Sequence, residues 1–267
     1  MFKQQPTTAP IGVFDSGIGG LSVLRAVRKA LPNEDLLYIA DSANAPYGDR
    51  HASFIESRAL EMVNFLVRSN AKAIVVACNT ATVVAIEKLR SMYSLPIVAM
   101  EPAIKPAVGL TKSRVVGVLA TRRTLESSAV AQLCNQYARD TRIILQPCPG
   151  LVEQVERGET ESDLTRGLLE RYISPLIAAR ADTLVLGCTH YPFLESQIRS
   201  IVGPEVCIVE SSAAVARQLE RRLSGSMNHE VNNCIPKETF FTTGAVDSMR
   251  VLVSMLWGES VEVQSVV

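Results

Sequence analysis

Two short stretches of this 267-residue chain carry the same chemistry. Ala73-Ile-Val-Val-Ala-Cys-Asn-Thr80 and Thr183-Leu-Val-Leu-Gly-Cys-Thr-His190 each run through an apolar segment and a small residue to a cysteine, then to amide, hydroxyl or imidazole groups. The apolar segments read as buried strands and the residues beyond them as helix starts, where a helix dipole favours thiolate over thiol at Cys78 and Cys188. Backbone N–H groups of the same turns, with the side chains of Asn79, Thr80 and Thr189, could hold a carboxylate and stabilise charge developing on it. Two thiols on opposite walls suit inversion at the α-carbon of an amino acid. One proton leaves one face there and another arrives on the opposite face, which a single base does not readily serve.

The bland alternative for a cysteine ending a strand is a small core hydrophobe. That reading stands for Cys134, Cys148, Cys207 and Cys234. It gives way for Cys78 and Cys188, because two unrelated core cysteines need not both precede hydroxyl-rich helix starts. His190, two residues after Cys188, could assist proton transfer on that side. Asp15, in a Gly-rich turn before Ser16, could orient or protonate the Cys78 side, bind a substrate ammonium, or only cap a helix. The scattered cysteines contain no Cys-x-x-Cys pair, and His51, His190 and His229 are not spaced as helical ligands, so no metal is expected. Gly17-Ile-Gly-Gly20 lacks the G-x-G-x-x-G spacing. No Walker lysine is present, and no lysine ends a strand beside a glycine-rich loop as a pyridoxal Schiff base would need, so no cofactor is expected.

The elements that must position these groups alternate. Runs at Ile11–Asp15, Leu36–Asp41, Ala73–Ala77, Ile97–Met100, Val115–Ala120, Ile143–Pro147, Thr183–Gly187 and Val206–Val209 read as strands, most of them apolar throughout as a parallel strand covered on both faces is. Helical stretches lie between them at Leu21–Leu31, Phe54–Arg68, Thr82–Met92, Leu125–Ala138, Leu164–Ala179 and Ala213–Leu223, with Pro32 and Gly225 as stops. The alternation implies an α/β fold with parallel sheets, whose ligands sit beyond the carboxyl ends of the strands. The two cysteine stretches read as an internal duplication: two similar Rossmann-like lobes, one thiol each, with the active site in the cleft between them.

Composition bounds the function. Hydrophobic residues make up 47%, enough for a core, and 27 basic residues balance 27 acidic ones, so no global field recruits nucleic acid or an anionic membrane. Met1–Pro10 lacks the apolar centre of a signal peptide. No apolar run approaches the ~18–20 residues that span a bilayer. A soluble, cytoplasmic chain with reduced thiols is expected.

Gly12-Val-Phe-Asp-Ser-Gly-Ile-Gly-Gly-Leu-Ser22, Ala45-Pro-Tyr-Gly48, Ala77-Cys-Asn-Thr-Ala-Thr82, Gly187-Cys-Thr-His-Tyr-Pro192 and Phe241-Thr-Thr-Gly244 resemble segments of the glutamate racemases, in the cofactor-independent aspartate/glutamate racemase superfamily. The resemblance runs from about residue 10 to residue 245. It implies that Cys78 and Cys188 are the proton donor/acceptors, assisted by Asp15 and His190. It implies substrate contacts at Asp15, Ser16, Pro46, Tyr47, Gly48, Asn79, Thr80, Thr189 and His190, and more loosely at Thr121 and Thr124 of Ala120-Thr-Arg-Arg-Thr124. A family acidic residue falls in Leu151–Gly158, where Glu156 aligns better than Glu153 and an isolated surface glutamate is the other reading. The resemblance further implies one lobe from 1–97 with 210–267, a second from 98–209, a homodimer, and D-glutamate made for peptidoglycan synthesis. Competing readings are an aspartate or other amino-acid racemase, a decarboxylase or isomerase on the same scaffold, and a two-lobed binding protein without catalysis. Retention of both cysteines argues against single-thiol decarboxylases.

Overall fold

The computed structural model describes residues 9–138, 140–224 and 235–266. Most of Met1–Pro10, together with Gly225, His229 and Cys234, lies outside them. The chain divides into two compact units, Met1–Met100 with Ser212–Val267, and Glu101–Ser211.

The first unit runs β1 (Ile11–Asp15), α1 (Leu21–Ala30), β2 (Leu36–Ala40), a 3-10 turn (Ser42–Asn44), α2 (Ala52–Arg68), β3 (Ala73–Val76), α3 (Asn79–Met92) and β4 (Ile97–Ala99). The second runs α4 (Ile104–Leu110), β5 (Val115–Ala120), α5 (Arg122–Leu125), α6 (Ser128–Tyr137), β6 (Arg142–Pro147), α7 (Leu151–Glu156), α8 (Asp163–Ala178), β7 (Thr183–Leu186), a 3-10 turn (Tyr191–Leu194), α9 (Glu195–Val202) and β8 (Cys207–Val209). The chain then returns to the first unit as α10 (Ser212–Leu223), β9 (Glu238–Thr242), α11 (Val246–Trp257) and β10 (Val263–Ser265). All strand pairs are parallel. The six-stranded sheet has the order β10-β9-β2-β1-β3-β4 and the four-stranded sheet β6-β5-β7-β8.

The eight strands expected from apolar runs are present, because β1, β3 and β7 are buried at every residue and a doubly covered strand must be apolar throughout. The short β9 and β10 were not expected; neither forms a long apolar run. The helix expected over Leu125–Ala138 is two helices. Ser127 breaks it by accepting from the Val130 N–H at 3.2 Å and donating to the Thr124 carbonyl at 2.7 Å. No helix among the described residues is long and apolar enough to cross a membrane.

The duplication extends well beyond the two cysteine stretches. Strand order β2-β1-β3-β4 repeats as β6-β5-β7-β8. The Ala77 N–H donates to the Phe14 carbonyl, and the Gly187 N–H to the Leu119 carbonyl, each at 2.8 Å. Helices α2 and α8 end alike: Asn70 and Arg180 adopt left-handed φ of 64° and 67°. The next amides, of Ala71 and Ala181, close back onto the Leu66 and Leu176 carbonyls, each at 3.0 Å. Those leucines press on the first strand of each half at a glycine. A Cβ on Gly12 would come within 2.9 Å of Leu66, and one on Gly117 within 2.7 Å of Leu176. Both glycines are therefore close-approach positions.

At the amino ends of the second unit's strands, Asp182 ties the turn before β5 to β7. One carboxylate oxygen accepts the Lys112 and Ser113 amides, each at 2.7 Å, and the other accepts the Thr111 and Thr183 hydroxyls. Burial pushes this carboxyl upward, but the hydrogen bonds outweigh it and hold the pKa below the usual carboxylate range. The folded pKa thus lies below the unfolded value of about 3.9, so the stabilisation is present above that pH and is lost as pH falls through the folded pKa. Asp182→Asn should lower stability by about 1 kcal/mol near neutral pH, water screening limiting the effect. Urea unfolding midpoints should show the wild-type advantage shrinking near pH ~3; an advantage independent of pH would refute the assignment.

Candidate active site

In the first unit the polar residues gather at the carboxyl ends of β1, β2 and β3. Helix α3 starts at Asn79, three residues earlier than the sequence pattern suggests, so that Cys78 is its N-cap. The Cys78 sulfur accepts the Ala81 amide at 3.4 Å, the position a capping oxygen normally takes. Ser16 Oγ lies 3.3 Å from the same sulfur and donates to Asp15 Oδ1 at 3.0 Å, which also accepts the Gly17 amide at 3.2 Å. Asp15 is therefore not the cap of α1; its carboxylate belongs to the turn beside Cys78. Gly20 makes room for it, since a Cβ there would stand 2.6 Å from Asp15 Cβ. Asn79 is buried, and neither its amide nitrogen nor its oxygen has a hydrogen-bond partner among the described residues. Thr80 is buried next to it.

Tyr47, expected as a substrate contact, has its phenol committed elsewhere. It is 1% exposed and donates to Asp41 Oδ2 at 2.5 Å. Burial first, then the Asp41 charge and hydrogen bond, push its pKa upward. Asp41, fully buried at the end of β2, also accepts Asn44 Nδ2 at 2.9 Å, Thr243 Oγ1 at 2.8 Å, and Arg58 through Nε and Nη2, each at 2.8 Å. Burial pushes the carboxyl upward, but Arg58, Tyr47, Asn44 and Thr243 outweigh it and hold its pKa down. Pro46, after a cis peptide bond, is part-buried and Gly48 is buried. The Phe241-Thr-Thr-Gly244 segment meets this loop: Thr242 and Ser42 hydroxyls lie 2.6 Å apart. Asp41 and Arg58 were not among the expected site residues. Asp41 could have been noticed, because it ends an apolar strand at the same rim as Asp15.

In the second unit the corresponding rim carries a different set. Cys188 does not start an α-helix. It lies in a turn before the 3-10 turn, and α9 begins only at Glu195. Pro192 has no N–H to donate to the Cys188 carbonyl four residues back, and that carbonyl accepts the Tyr191 N–H at 3.1 Å instead. His190 compensates. Its Nδ1 lies 3.7 Å from the Cys188 sulfur and 3.5 Å from Thr189 Oγ1, and its Nε2 lies 2.6 Å from Glu156 Oε1. Glu156, rather than Glu153, thus partners His190. Burial would depress the imidazole pKa, but Cys188 and Glu156 outweigh it and raise it well above the ordinary histidine value. Only imidazolium can donate to sulfur and carboxylate at once. Thr121 and Thr124 lie beyond β5, their hydroxyls 3.0 Å apart, with Thr124 fully buried.

Cys134 and Cys148 behave as core groups. Burial pushes both Cys134 and Cys148 upward, so they stay protonated. Cys148 nonetheless occupies the rim of β6, where its carbonyl accepts the Tyr191 hydroxyl at 3.3 Å. Among the described residues no group of three His, Cys, Asp or Glu side chains could hold a metal ion. His51 is the exposed N-cap residue of α2. Removing the carboxylate charge with Glu156→Gln should lower the His190 titration midpoint, read by NMR of the imidazole nitrogens. An unmoved midpoint would mean that the 2.6 Å contact carries no charge coupling.

The model of the Asp/Glu/Hydantoin racemase family matches residues 11–222. The glutamate racemase of Ectopseudomonas mendocina is 49% identical over 258 residues, covering 96% of this chain and 97% of that protein. The crystal structure of a glutamate racemase isoform from Bacillus anthracis superposes with a TM-score of 0.88 at 32% identity, over 98% of each chain. That of the Francisella tularensis glutamate racemase in complex with D-glutamate does so with a TM-score of 0.85 at 28% identity, again over 98% of each. The chain belongs to the Asp/Glu/hydantoin racemase family, a family of isomerases.

Proposed function

We propose that this chain interconverts L- and D-glutamate without a cofactor, by two-base chemistry at Cys78 and Cys188. The observation that carries the reading is the repeated register: the residue after Ala77 in one half, and after Gly187 in the other, is a cysteine beside its own proton-handling group. One thiolate removes the α-proton and the other thiol delivers its proton to the opposite face, so the two exchange protonation states in each turnover. Negative charge developing on the substrate carboxylate would be met by the amides opening α3 and by Asn79, whose buried amide lacks another partner among the described residues. Asp15 with Ser16 serves the Cys78 side, and His190 with Glu156 the Cys188 side. Pro46, Tyr47, Gly48, Thr80, Thr121, Thr124 and Thr189 complete the substrate surroundings. Glutamate as substrate is supported by the Francisella relative, solved with D-glutamate.

We further place the enzyme in the cytoplasm as a homodimer, supplying D-glutamate for peptidoglycan. The test is circular dichroism of purified protein with L-glutamate and then D-glutamate, no cofactor added, beside Cys78→Ser and Cys188→Ser. Optical activity should decay from both enantiomers, and either substitution should slow it on the order of 10²- to 10⁴-fold. Decay with aspartate alone would move the substrate and keep the mechanism. No change with either amino acid, from folded protein with free thiols, would refute the racemase reading.

A further inference from the structure

A charged group sealed from water needs several partners, because transferring an isolated carboxylate inside is expensive. Asp41 meets that need with partners from three separated stretches of chain. Asn44 and Tyr47 come from the loop after β2, Arg58 from the second turn of α2, and Thr243 from the turn after β9. The guanidinium approaches through Nε and Nη2, each 2.8 Å from a different carboxylate oxygen, the two-point geometry that fixes orientation as well as distance. The turn after β9 is tied back independently. The Ala43 amide donates to Thr243 Oγ1 at 3.2 Å, the Thr243 amide donates to the Ala40 carbonyl at 3.1 Å, and Ser42 and Thr242 share a hydroxyl contact at 2.6 Å. Gly244 passes close by, since a Cβ there would fall 2.6 Å from Ser42 Oγ and displace that hydroxyl.

Residues 42–48 are thus held at both ends, Ser42 and Ala43 by the turn after β9, and Asn44 and Tyr47 by the Asp41 carboxylate. The phenol of Tyr47 is used up in this closure, which leaves the backbone around Pro46 and Gly48 as the part of the segment able to meet a substrate. We propose that Asp41 and Arg58 are a positioning pair: a buried carboxylate–guanidinium clasp that holds the Pro46–Gly48 segment in its substrate-binding conformation while taking no part in proton transfer. The proposal rests on the reading of that segment as a glutamate contact. The link from Asp41 to Asp15 is backbone to backbone, the Asp41 amide donating to the Asp15 carbonyl at 3.0 Å, and side-chain substitutions at Arg58 and Thr243 leave it in place. Loosening the clasp therefore weakens binding of both enantiomers alike and leaves the proton-transfer groups in place.

The experiment is steady-state racemisation from L- and from D-glutamate by three variants whose folding is verified by thermal melting. Arg58→Met, which removes the two-point partner, should raise KM for both enantiomers on the order of 10- to 100-fold with kcat within about 3-fold of wild type. Arg58→Lys, keeping the charge as a single point donor, should fall between wild type and Arg58→Met. Thr243→Val, which deletes one neutral donor and leaves the ion pair, should raise KM about 2- to 5-fold. A merely structural role would instead lower the active fraction, cutting kcat with KM unchanged. That pattern, or wild-type KM in folded Thr243→Val and Arg58→Lys, overturns the proposal even if Arg58→Met does not fold. Inactive wild-type protein would refute the glutamate reading itself, whereas active wild type with unmoved KM in the variants refutes only the clasp.

Discussion

Parallel pairing of a central strand with its neighbours is what the rest of each unit depends on. Where β1 and β3 stop, the last ladder bond runs from Ala77 N–H to the Phe14 carbonyl; where β5 and β7 stop, it runs from Gly187 N–H to the Leu119 carbonyl. On their other sides β1 and β5 pair one residue further, the Asp41 N–H with the Asp15 carbonyl at 3.0 Å and the Cys148 N–H with the Ala120 carbonyl at 3.1 Å. Past these rungs the backbone polar groups must be met by turns, caps or a ligand. In a parallel sheet every strand reaches that point on the same side, so the polar ends of several strands gather on one rim. Asp15, Asp41 and Cys78 meet in one unit for this reason, as do Thr121, Cys148 and Cys188 in the other. The helices that cover the sheets pack close, with Leu66 and Leu176 pressed onto β1 and β5 where a Cβ on Gly12 or Gly117 would make them shift.

The same scaffold carries different chemistry in its two halves. At the end of the first strand one half has Asp15 and the other Ala120; at the end of the second, one has Asp41 and the other Cys148. The first half thus concentrates carboxylates at its rim. It neutralises one with Arg58 and surrounds the other with a hydroxyl and an amide. The second half has no carboxylate at those places and brings one in from α7, where Glu156 holds His190 against Cys188. A cysteine capping a full helix and a cysteine beside an imidazole place their sulfurs in different surroundings: a backbone amide and a hydroxyl in the first case, a histidine ring held by a carboxylate in the second.

Much of the α/β architecture was legible because covered parallel strands such as β1, β3 and β7 are apolar nearly throughout, whereas the edge strand β6 is partly exposed along its length. Short edge elements such as β10, three residues long, carry no comparable pattern. Helix boundaries were less legible where side chains compete with the backbone. Ser127 splits one expected helix in two, and Pro192 keeps the residues after Cys188 out of an α-helix. The likeness of the two cysteine stretches was visible in residue type, but its extension to strand order, helix ends and close-packed glycines was visible only in the coordinates.

The sequence by itself determined that Asp15 would end a strand and that Cys78 and Cys188 would each follow one. Residue type sets intrinsic chemistry, and apolar runs set where strands begin and end. Tertiary structure alone decided which groups partner one another. Glu156 meets His190 across 34 positions of chain, and Thr243 meets Asp41 across 202. Those pairings arise because groups cut off from water must find partners wherever the packed elements bring donors and acceptors within about 3 Å, and sequence separation has no part in that requirement.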